Sequence, residues 1–287
     1  MTDLKNKTVL ITGASRGIGF ATALRLAKAG ANVALLAKTT SPHRYLPGTI
    51  FSAADEIRAT GANALPIPTD VRSEDAVRAA VEQTVETFGG IDICINNASA
   101  INHCKVEDTE MKSFDLMHQV NGRGTFLVSK ECLPYLKKSE SPHILNLCPT
   151  PILTGPALSG KIAYMMAKYG MSMCVVGMAE EFRPYGIAVN GLQPRTWIAT
   201  SAIKFRHTDE HMQRCRKPDI MADAAFAIVT KPPHEFTGNF CTDDTVLYES
   251  GVRDFDKYRV DPAEELLISV KDEANPPPPG VKFEAAQ

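Results

Sequence analysis

The 287-residue sequence lacks the long apolar runs of a membrane protein and the leader of an exported one. It contains no run of 18 apolar residues, which is about the length that a membrane-spanning helix requires. The N-terminal stretch MTDLKNKTVLITG reaches an apolar run of only five residues before a glycine, which is too short for the core of a signal peptide. We therefore expect no membrane span and no export signal.

The sequence also lacks the cysteine patterns of disulfide frameworks and zinc sites. Its seven cysteines are odd in number, and no two of them form C-x-x-C. We expect free thiols, no metal site, and a location in the cytoplasm or another reducing compartment.

The sequence has almost no net charge. The formal value is −2, which indicates no surface for nucleic acid or for an anionic membrane. With 44% hydrophobic and 22% charged residues, the composition is that of a folded protein. We therefore expect no nucleic-acid partner.

Short apolar runs rich in β-branched residues alternate with longer amphipathic ones. Fully apolar strands that alternate with helices are typical of a parallel sheet covered on both faces. We therefore predict the α/β class, with a single doubly wound parallel sheet and helices on both faces. The six apolar runs are TVLIT, NVALLA, NALPIP, IDICIN, HILNLC and IAVNGL.

The sequence contains no internal repeat, and its composition changes only near the end. We expect one domain over residues 1–250 and a C-terminal extension over residues 251–287. The last stretch, DEANPPPPGVKFEAAQ, contains four prolines, which favour an extended segment over a helix or a strand. We interpret it as a tail or linker.

The segment TVLITGASRGIGFATALRLAKAG combines a strand, a glycine-rich turn and a helix with 3.6-residue periodicity. Glycines at these positions let the backbone approach a pyrophosphate, and the helix N-terminus supplies N–H donors to it. The alternative is an ordinary tight turn between strand and helix. Because both flanking elements are present, we favour a Rossmann-type nucleotide site at Gly13, Gly17 and Gly19.

The end of the second apolar run, NVALLAKTTSPHR, bears on the identity of the nucleotide. An Asp or Glu there would hold the ribose of NAD, but this sequence has Lys38, with His43 and Arg44 nearby and Arg16 in the glycine turn. These cations can pair with a 2'-phosphate, so we expect NADP, with NAD less favoured. The alternative is that Lys38 and Arg44 lie on a solvated loop.

A later helical segment, AYMMAKYGMSMCVVGMAEEF, places Tyr164 and Lys168 four residues apart and so on one helical face. A tyrosine is a poor acid or base near neutral pH because its pKa is about 10. A neighbouring ammonium stabilises the phenolate and brings the group into range for proton transfer to a carbonyl or from an alcohol. The alternative is an ordinary exposed pair on a surface helix.

Together these motifs resemble the short-chain dehydrogenase/reductase family over about residues 5–245. Further matches are Asp70 in TDV, NNAS at 96–99, Asn121 in its long helix, and QPRTWIAT after the sixth strand. Six phrases are similar to the narrower hydroxysteroid dehydrogenase-like branch of this family. They are AKTTSPH, GTIFSAADEI, NNASAI, AKYGMSM, GMAEEF and FTGNF.

The resemblance implies hydride transfer between C4 of a nicotinamide and a carbonyl carbon of a small-molecule substrate. Tyr164 would be the proton donor or acceptor, Lys168 would tune it and hold the nicotinamide ribose, and Asn121 would hold a water in a proton relay. The alternative for Asn121 is a polar residue on a helix surface, and the two nearby glycines make a local irregularity of the helix equally plausible. The implied cofactor-binding residues are Gly13, Ser15, Arg16, Gly17, Ile18, Gly19, Lys38, His43, Asp70, Val71, Asn97, Ala98, Ser99, Tyr164, Lys168, Pro194, Ile198 and Thr200.

Two departures from the family pattern affect the implied cofactor site. Ser99 and Arg195 stand where glycine is usual, and the segment after Arg195 is one residue longer.

A third departure concerns the serine that normally assists the tyrosine. Family spacing would put this serine at Pro151, and the loop here is some three residues longer. The replacement is Cys148 at the strand end, or Thr150 or Ser159 if the loop folds back.

Residues 196–216, TWIATSAIKFRHTDEHMQRCR, correspond to the variable lid over the substrate. Its apolar residues suit a hydrophobic carbonyl or alcohol, and its basic residues could meet the phosphates of an acyl-CoA. An amphipathic helix with one solvated face is the simpler interpretation.

The missing serine leaves a second hypothesis open, that of a nucleotide-binding protein of the same fold with little or no turnover. For either hypothesis the family resemblance implies a homodimer or homotetramer, formed through helices near residues 110–137 and 160–183.

Overall fold

A computed structural model describes residues 3–42, 48–204, 208–269, 272–281 and 283. Within these residues seven parallel strands form one sheet, in the order β3-β2-β1-β4-β5-β6-β7. The strands are β1 (Thr8–Thr12), β2 (Asn32–Ala37), β3 (Ala64–Pro68), β4 (Ile93–Asn96), β5 (His143–Asn146), β6 (Ala188–Gln193) and β7 (Phe240–Thr242).

Helices connect the strands and cover both faces of the sheet. A π-helical turn, Gln119–Arg123, joins α4 to α5, and short 3₁₀ turns lie at Arg183–Tyr185 and Asp256–Tyr258. The α-helices are α1 (Gly17–Lys28), α2 (Ile50–Arg58), α3 (Glu74–Phe88), α4 (Met111–His118), α5 (Gly124–Leu136), α6 (Gly155–Leu158), α7 (Ile162–Glu181), α8 (Ser201–Lys204), α9 (Asp209–Gln213), α10 (Asp219–Val229) and α11 (Asp243–Glu249).

Two separate apolar cores form because successive side chains of a strand point to opposite faces. Val9 and Ile11 of β1 pack with α1, α10 and α11, whereas Leu10 packs on the other face with α3, α5 and the end of α7. The alternation of apolar strands and amphipathic helices in the sequence reflects this double burial. The predicted doubly wound α/β sheet is confirmed.

The strand order reverses at β1, whose neighbours are β2 on one side and β4 on the other. In an open parallel sheet, the crevice beyond the carboxyl ends of the strands at this reversal is where ligands bind. The loops after β1 and β4 carry the glycine turn and the NNAS segment, so the fold brings these two motifs together.

Two parts of the structure differ from the sequence prediction. Six strands were predicted, and the seventh, β7, was missed because it has only three residues. The stretch interpreted as a tail begins at Asp272, yet this side chain is only 6% exposed and bonds to the body of the protein.

The helix α7 is, within the described residues, long and apolar enough to cross a membrane by length and composition. The helix packs against β5 and β6 and buries Ala167, Met171 and Val175. A core helix of a folded domain can meet the same length and composition criterion, and 44% of the apolar window of α7 is buried inside the protein.

Candidate active site

The glycine turn after β1 leaves no room for side chains. Gly13 and Gly17 have φ values of +67° and +59°, which favour glycine. A Cβ on Gly19 would lie 2.4 Å from both the Asn97 Nδ2 and the Gly13 carbonyl oxygen. The first turn of α1 has no acidic residue and no capping side chain, so its N–H groups are available to a phosphate. The turn therefore fits the pyrophosphate of a dinucleotide.

The segment after β4 is fixed directly onto this turn. Asn97 Nδ2 donates to the carbonyl oxygens of Thr12 and Gly13, at 3.0 and 3.1 Å. The Thr12 hydroxyl accepts the backbone N–H groups of Asn97 and Ala98, at 3.1 and 3.0 Å. The polar residues of NNAS thus hold the two halves of the nucleotide crevice in register.

Arg72 is a cation at the adenosine end of the crevice that no sequence motif marks. Arg72 donates hydrogen bonds to both oxygens of the Asp70 carboxylate and holds the pKa of Asp70 below its usual value, with a smaller contribution from Lys38. Arg16 donates to the carbonyl oxygen of Gly48 at 3.1 Å. Lys38 is exposed at the end of β2. His43 and Arg44 lie outside the described residues.

A cavity of about 920 Å³ opens beyond the carboxyl ends of β4, β5 and β6. It brings the predicted catalytic pair together with residues from the glycine turn, the NNAS segment and the lid. Thr200 also lies beside the glycine turn, since a Cβ added to Gly17 would lie 3.4 Å from its methyl group. The predicted residues that line the cavity are Ile18, Asn97, Ser99, Tyr164, Lys168, Pro194, Ile198 and Thr200.

Lys168 is 7% exposed, and its ammonium donates to the carbonyl oxygen of Leu147 at 2.5 Å. Burial lowers the pKa of Lys168 to about 8, with a small opposing effect from Cys148. The amine is therefore still mostly protonated at neutral pH, and its ammonium can stabilise a phenolate at Tyr164. Tyr164 stands one turn earlier on α7, and its ring meets His103 edge-on with the ring centroids 4.8 Å apart.

Asn121 lies fully buried in the π-helical turn rather than on a helix surface. Its side-chain oxygen accepts the Ala100 N–H at 2.8 Å, and its Nδ2 donates to the Ala100 carbonyl at 3.0 Å. Asn121 therefore fixes the loop that follows NNAS. The helix irregularity predicted from the nearby glycines is the π-helical turn, and this turn contains the buried Asn121.

The three alternatives to the missing serine occupy different places. Cys148 lines the cavity, whereas Thr150 and Ser159 do not. The Thr150 hydroxyl donates to Asp272, and Ser159 is exposed at the end of α6. The Cys148 thiol packs on Met171 and Val175, and burial raises its pKa to about 12, so the thiol is protonated at neutral pH.

Arg195 is only 3% exposed and does not line the cavity. Its Nε donates to both oxygens of Asp244, at 2.8 and 2.9 Å. The arginine that replaces the usual glycine therefore points into a buried ion pair with α11. Ser99, at the other departure, is exposed and lines the cavity.

Several cavity residues were missed by sequence reasoning. His103 follows NNAS on the loop after β4, so its position beyond a strand end was a usable signal. Ile268 and Ser269 lie in the C-terminal extension, where no motif marks them.

The predicted lid, residues 196–216, contains two short helices in its described part, α8 and α9, instead of one amphipathic helix. No group of three metal-binding side chains occurs within the described residues. All seven cysteines fall in the described part of the chain and are free thiols.

With this geometry in place, known proteins can be compared. A family model described as short chain dehydrogenase matches residues 7–210. The chain belongs to the short-chain dehydrogenase/reductase family. It is thus a member of a family of oxidoreductases whose fold binds a nicotinamide cofactor.

The curated relatives confirm the narrower resemblance. The chain is 55% identical over 260 residues to hydroxysteroid dehydrogenase-like protein 2 of Danio rerio, covering 91% of this chain. It is 52% identical over 259 residues to the protein of the same name in Homo sapiens, covering 90% of this chain. The chain spans 62% of the length of these two relatives.

Two solved structures share the fold over most of their length. A short chain dehydrogenase from Mycobacterium thermoresistibile is 49% identical with a TM-score of 0.91, covering 98% of this chain and all of that one. A short chain dehydrogenase from Burkholderia cenocepacia J2315 in complex with NADP is 28% identical with a TM-score of 0.71, covering 83% of this chain and 96% of that one.

Proposed function

We propose that this protein is an NADP-preferring oxidoreductase that interconverts a carbonyl and an alcohol on a hydrophobic substrate. The observation that carries the proposal is the shared cavity. Tyr164 and Lys168 line the same space as Asn97, Pro194 and Thr200, which belong to segments placed around the glycine turn.

The reaction requires one proton to move while the bound nicotinamide supplies or accepts the hydride. In reduction the Tyr164 hydroxyl protonates the substrate oxygen, and in oxidation its phenolate removes the alcohol proton. The Lys168 ammonium favours the phenolate electrostatically. Asn121 holds the loop after NNAS in place on the far side of the cavity.

The preference for NADP is supported by the charges around the end of β2. Lys38, Thr39 and Thr40 follow the strand, so no carboxylate stands where the ribose hydroxyls of NAD would bind. Lys38 and Arg16 can both reach toward a 2'-phosphate, and the related structure from Burkholderia cenocepacia contains NADP.

Steady-state kinetics with both cofactors test this preference. We expect kcat/KM to favour NADPH over NADH, and Lys38→Ala to reduce that ratio about tenfold because a charged hydrogen bond to phosphate is lost. Lys28→Ala, at the opposite end of α1, is the control and should leave the ratio unchanged. A preference for NADH, or a ratio that Lys38→Ala does not alter, would refute the proposed preference for NADP.

Tyr164→Phe tests the chemistry. Removal of the phenolic hydroxyl should lower kcat by 10²-fold or more, while the dissociation constant for NADPH changes little, because general acid–base groups contribute about that much. A panel of carbonyl and alcohol substrates followed by NADPH absorbance supplies the assay. Turnover that survives in Tyr164→Phe would exclude this role.

One observation favours the second candidate, a nucleotide-binding protein with little turnover. The Thr150 hydroxyl is committed to Asp272, and the Cys148 thiol is packed and protonated. Neither group supplies the strong donor that a serine would. Cofactor binding without turnover on the whole panel would support this candidate over the first.

We further propose a homodimer or homotetramer formed through α5 and α7, in a reducing compartment. Four apolar side chains on these helices are about half exposed or more. They are Phe126, Met166, Met173 and Val176.

A further inference from the structure

The C-terminal extension forms one side of the cavity. Its segment Leu266–Ser269, called here the wall segment, lies antiparallel to the residues that follow β6. Trp197 N–H donates to the Leu267 carbonyl at 3.0 Å, and Ser269 N–H donates to the Arg195 carbonyl at 2.8 Å. Ile268 and Ser269 line the cavity. Leu267, whose carbonyl accepts the first of these hydrogen bonds, does not line it.

A buried carboxylate holds the chain just beyond the wall segment. Asp272 Oδ2 accepts hydrogen bonds from Gln193 Nε2 at 2.6 Å and from the Thr150 hydroxyl at 2.7 Å. Asn275 Nδ2 donates to the same oxygen at 2.9 Å. The extension is thereby tied to the end of β6 and to the loop after β5, where the assisting serine is missing.

Arg195 supplies a second attachment. Besides its pair with Asp244, it donates from Nη2 to the Asn275 carbonyl at 2.8 Å. The residue that replaces a usual glycine therefore serves to dock the extension. A segment held from two directions by buried polar groups is a built part of the site rather than a loose tail.

The cavity has a largely apolar lining. Within the described residues this lining contains no carboxylate, and besides polar side chains such as Asn102 and Lys161 it includes Ile268 together with the apolar residues Ile101, Leu192, Trp197, Ile203 and Met221. An apolar group that enters this space is removed from water, which gains free energy in proportion to its area.

We propose that Ile268 determines the length of the substrate. The site accepts an aliphatic or alicyclic carbonyl or alcohol whose apolar part ends against Ile268. Asp272 is the residue that positions the wall segment. The reaction assigned to the substrate rests on the proposed function. The role of the wall segment concerns substrate binding, and binding can be measured without turnover.

The sequence contains a single tryptophan, Trp197, and it lines the cavity, so its fluorescence reports occupancy. The probes are methyl ketones from 2-butanone to 2-dodecanone, titrated onto the protein saturated with NADP⁺. In the wild type, affinity should rise about fourfold per added methylene and then reach a plateau where the chain meets Ile268.

Two adjacent variants separate the wall from its surroundings. Ile268→Ala should move the plateau to longer ketones, and Ile268→Phe should move it to shorter ones. Leu267→Ala removes the same number of atoms one residue away and should leave the plateau where it was. An unchanged plateau in both Ile268 variants, or an equal shift in Leu267→Ala, would overturn the assignment.

Asp272→Asn tests the positioning role. We expect at least a fivefold loss of ketone affinity with an unchanged dissociation constant for NADPH, whereas Asp256→Asn, on an exposed turn, should change neither. Equal losses of ketone and NADPH affinity would show a general structural defect and reject the positioning role. Ketone binding without any turnover would defeat the proposed reaction and leave the wall intact.

Discussion

At the scale of single residues, Cys148 stands where the chemistry of this protein departs furthest from its family. A thiol is a weak hydrogen-bond donor, and removal of one donor to a developing oxyanion costs about 10²-fold or more in kcat. We expect Cys148→Ser to raise the rate constant for hydride transfer on the order of tenfold, with little change in NADPH affinity. Cys148→Ala should change little.

Single-turnover measurements of NADPH oxidation check this prediction, with Cys174→Ser, a half-buried cysteine of α7 outside the cavity, as the control. If Cys148→Ser leaves the rate constant for hydride transfer unchanged and Thr150→Ala abolishes turnover, the hydrogen-bond donor lies in the longer loop instead.

The buried amine of Lys168 leads to a second prediction for a single residue, which concerns the free energy of unfolding. Its pKa is about 8 in the folded protein, below the value of about 10.4 for an unfolded chain. The unfolded state therefore binds more protons at this group between pH 8 and 10.4, so the contribution of Lys168 to the free energy of unfolding should rise with pH across this window by about 3 kcal/mol. Buried thiols such as Cys148 and Cys241, whose pKa values burial raises to about 12, contribute in the opposite direction over the same window.

Denaturant unfolding of the wild type and of Lys168→Met at several pH values measures this difference. The free energy of unfolding of the wild type minus that of Lys168→Met should rise by this amount across the window, whereas the difference between the wild type and Lys112→Met, which alters an exposed lysine of α4, should stay constant. Parallel profiles for the wild type and Lys168→Met would contradict the buried, low-pKa amine.

At the scale of elements, the sequence predicts what is local and repetitive. Six of the seven strands in the described sheet are at least four residues long and lie in the largely apolar stretches of the sequence, and the order of strands and helices follows directly from them. β7 has three residues, and its burial comes from pairing with β6, which sequence periodicity does not show.

The residues of the candidate site also separate into those that local sequence patterns predict and those that depend on distant contacts. The glycine turn, NNAS, Tyr164 and Lys168 were predictable because each sits at a fixed spacing from a strand or within a helix. The direction of the Arg195 side chain was not, because it depends on Asp244, which lies 49 residues later. The fate of Thr150 depends on Asp272, 122 residues away, and no local pattern encodes that contact.

At the scale of the whole molecule, the exposed apolar side chains of α7 predict assembly. Met173 and Val176 are 73% and 58% exposed on neighbouring turns, and each would gain about 1 kcal/mol or more on burial. We expect a dimer or tetramer in sedimentation velocity at micromolar concentration, and a monomer for the double variant Met173→Glu/Val176→Glu.

Val106→Glu provides the comparison, since Val106 is 75% exposed on the loop between β4 and α4. This change should leave the assembly intact. A monomeric wild type would rule out the proposed interface.

The attachment of Asp272 to Thr150 and Gln193 also has a consequence for the order in which the protein can be completed. During synthesis the strands β1 to β5 and the glycine turn emerge first, and α10 and α11, which pack with Val9 and Ile11 of β1, emerge only later. The far side of the cavity must wait for a stretch of chain more than a hundred residues beyond β5, and contacts between such distant segments form slowly. The substrate cavity is therefore the last part of the candidate site to be completed.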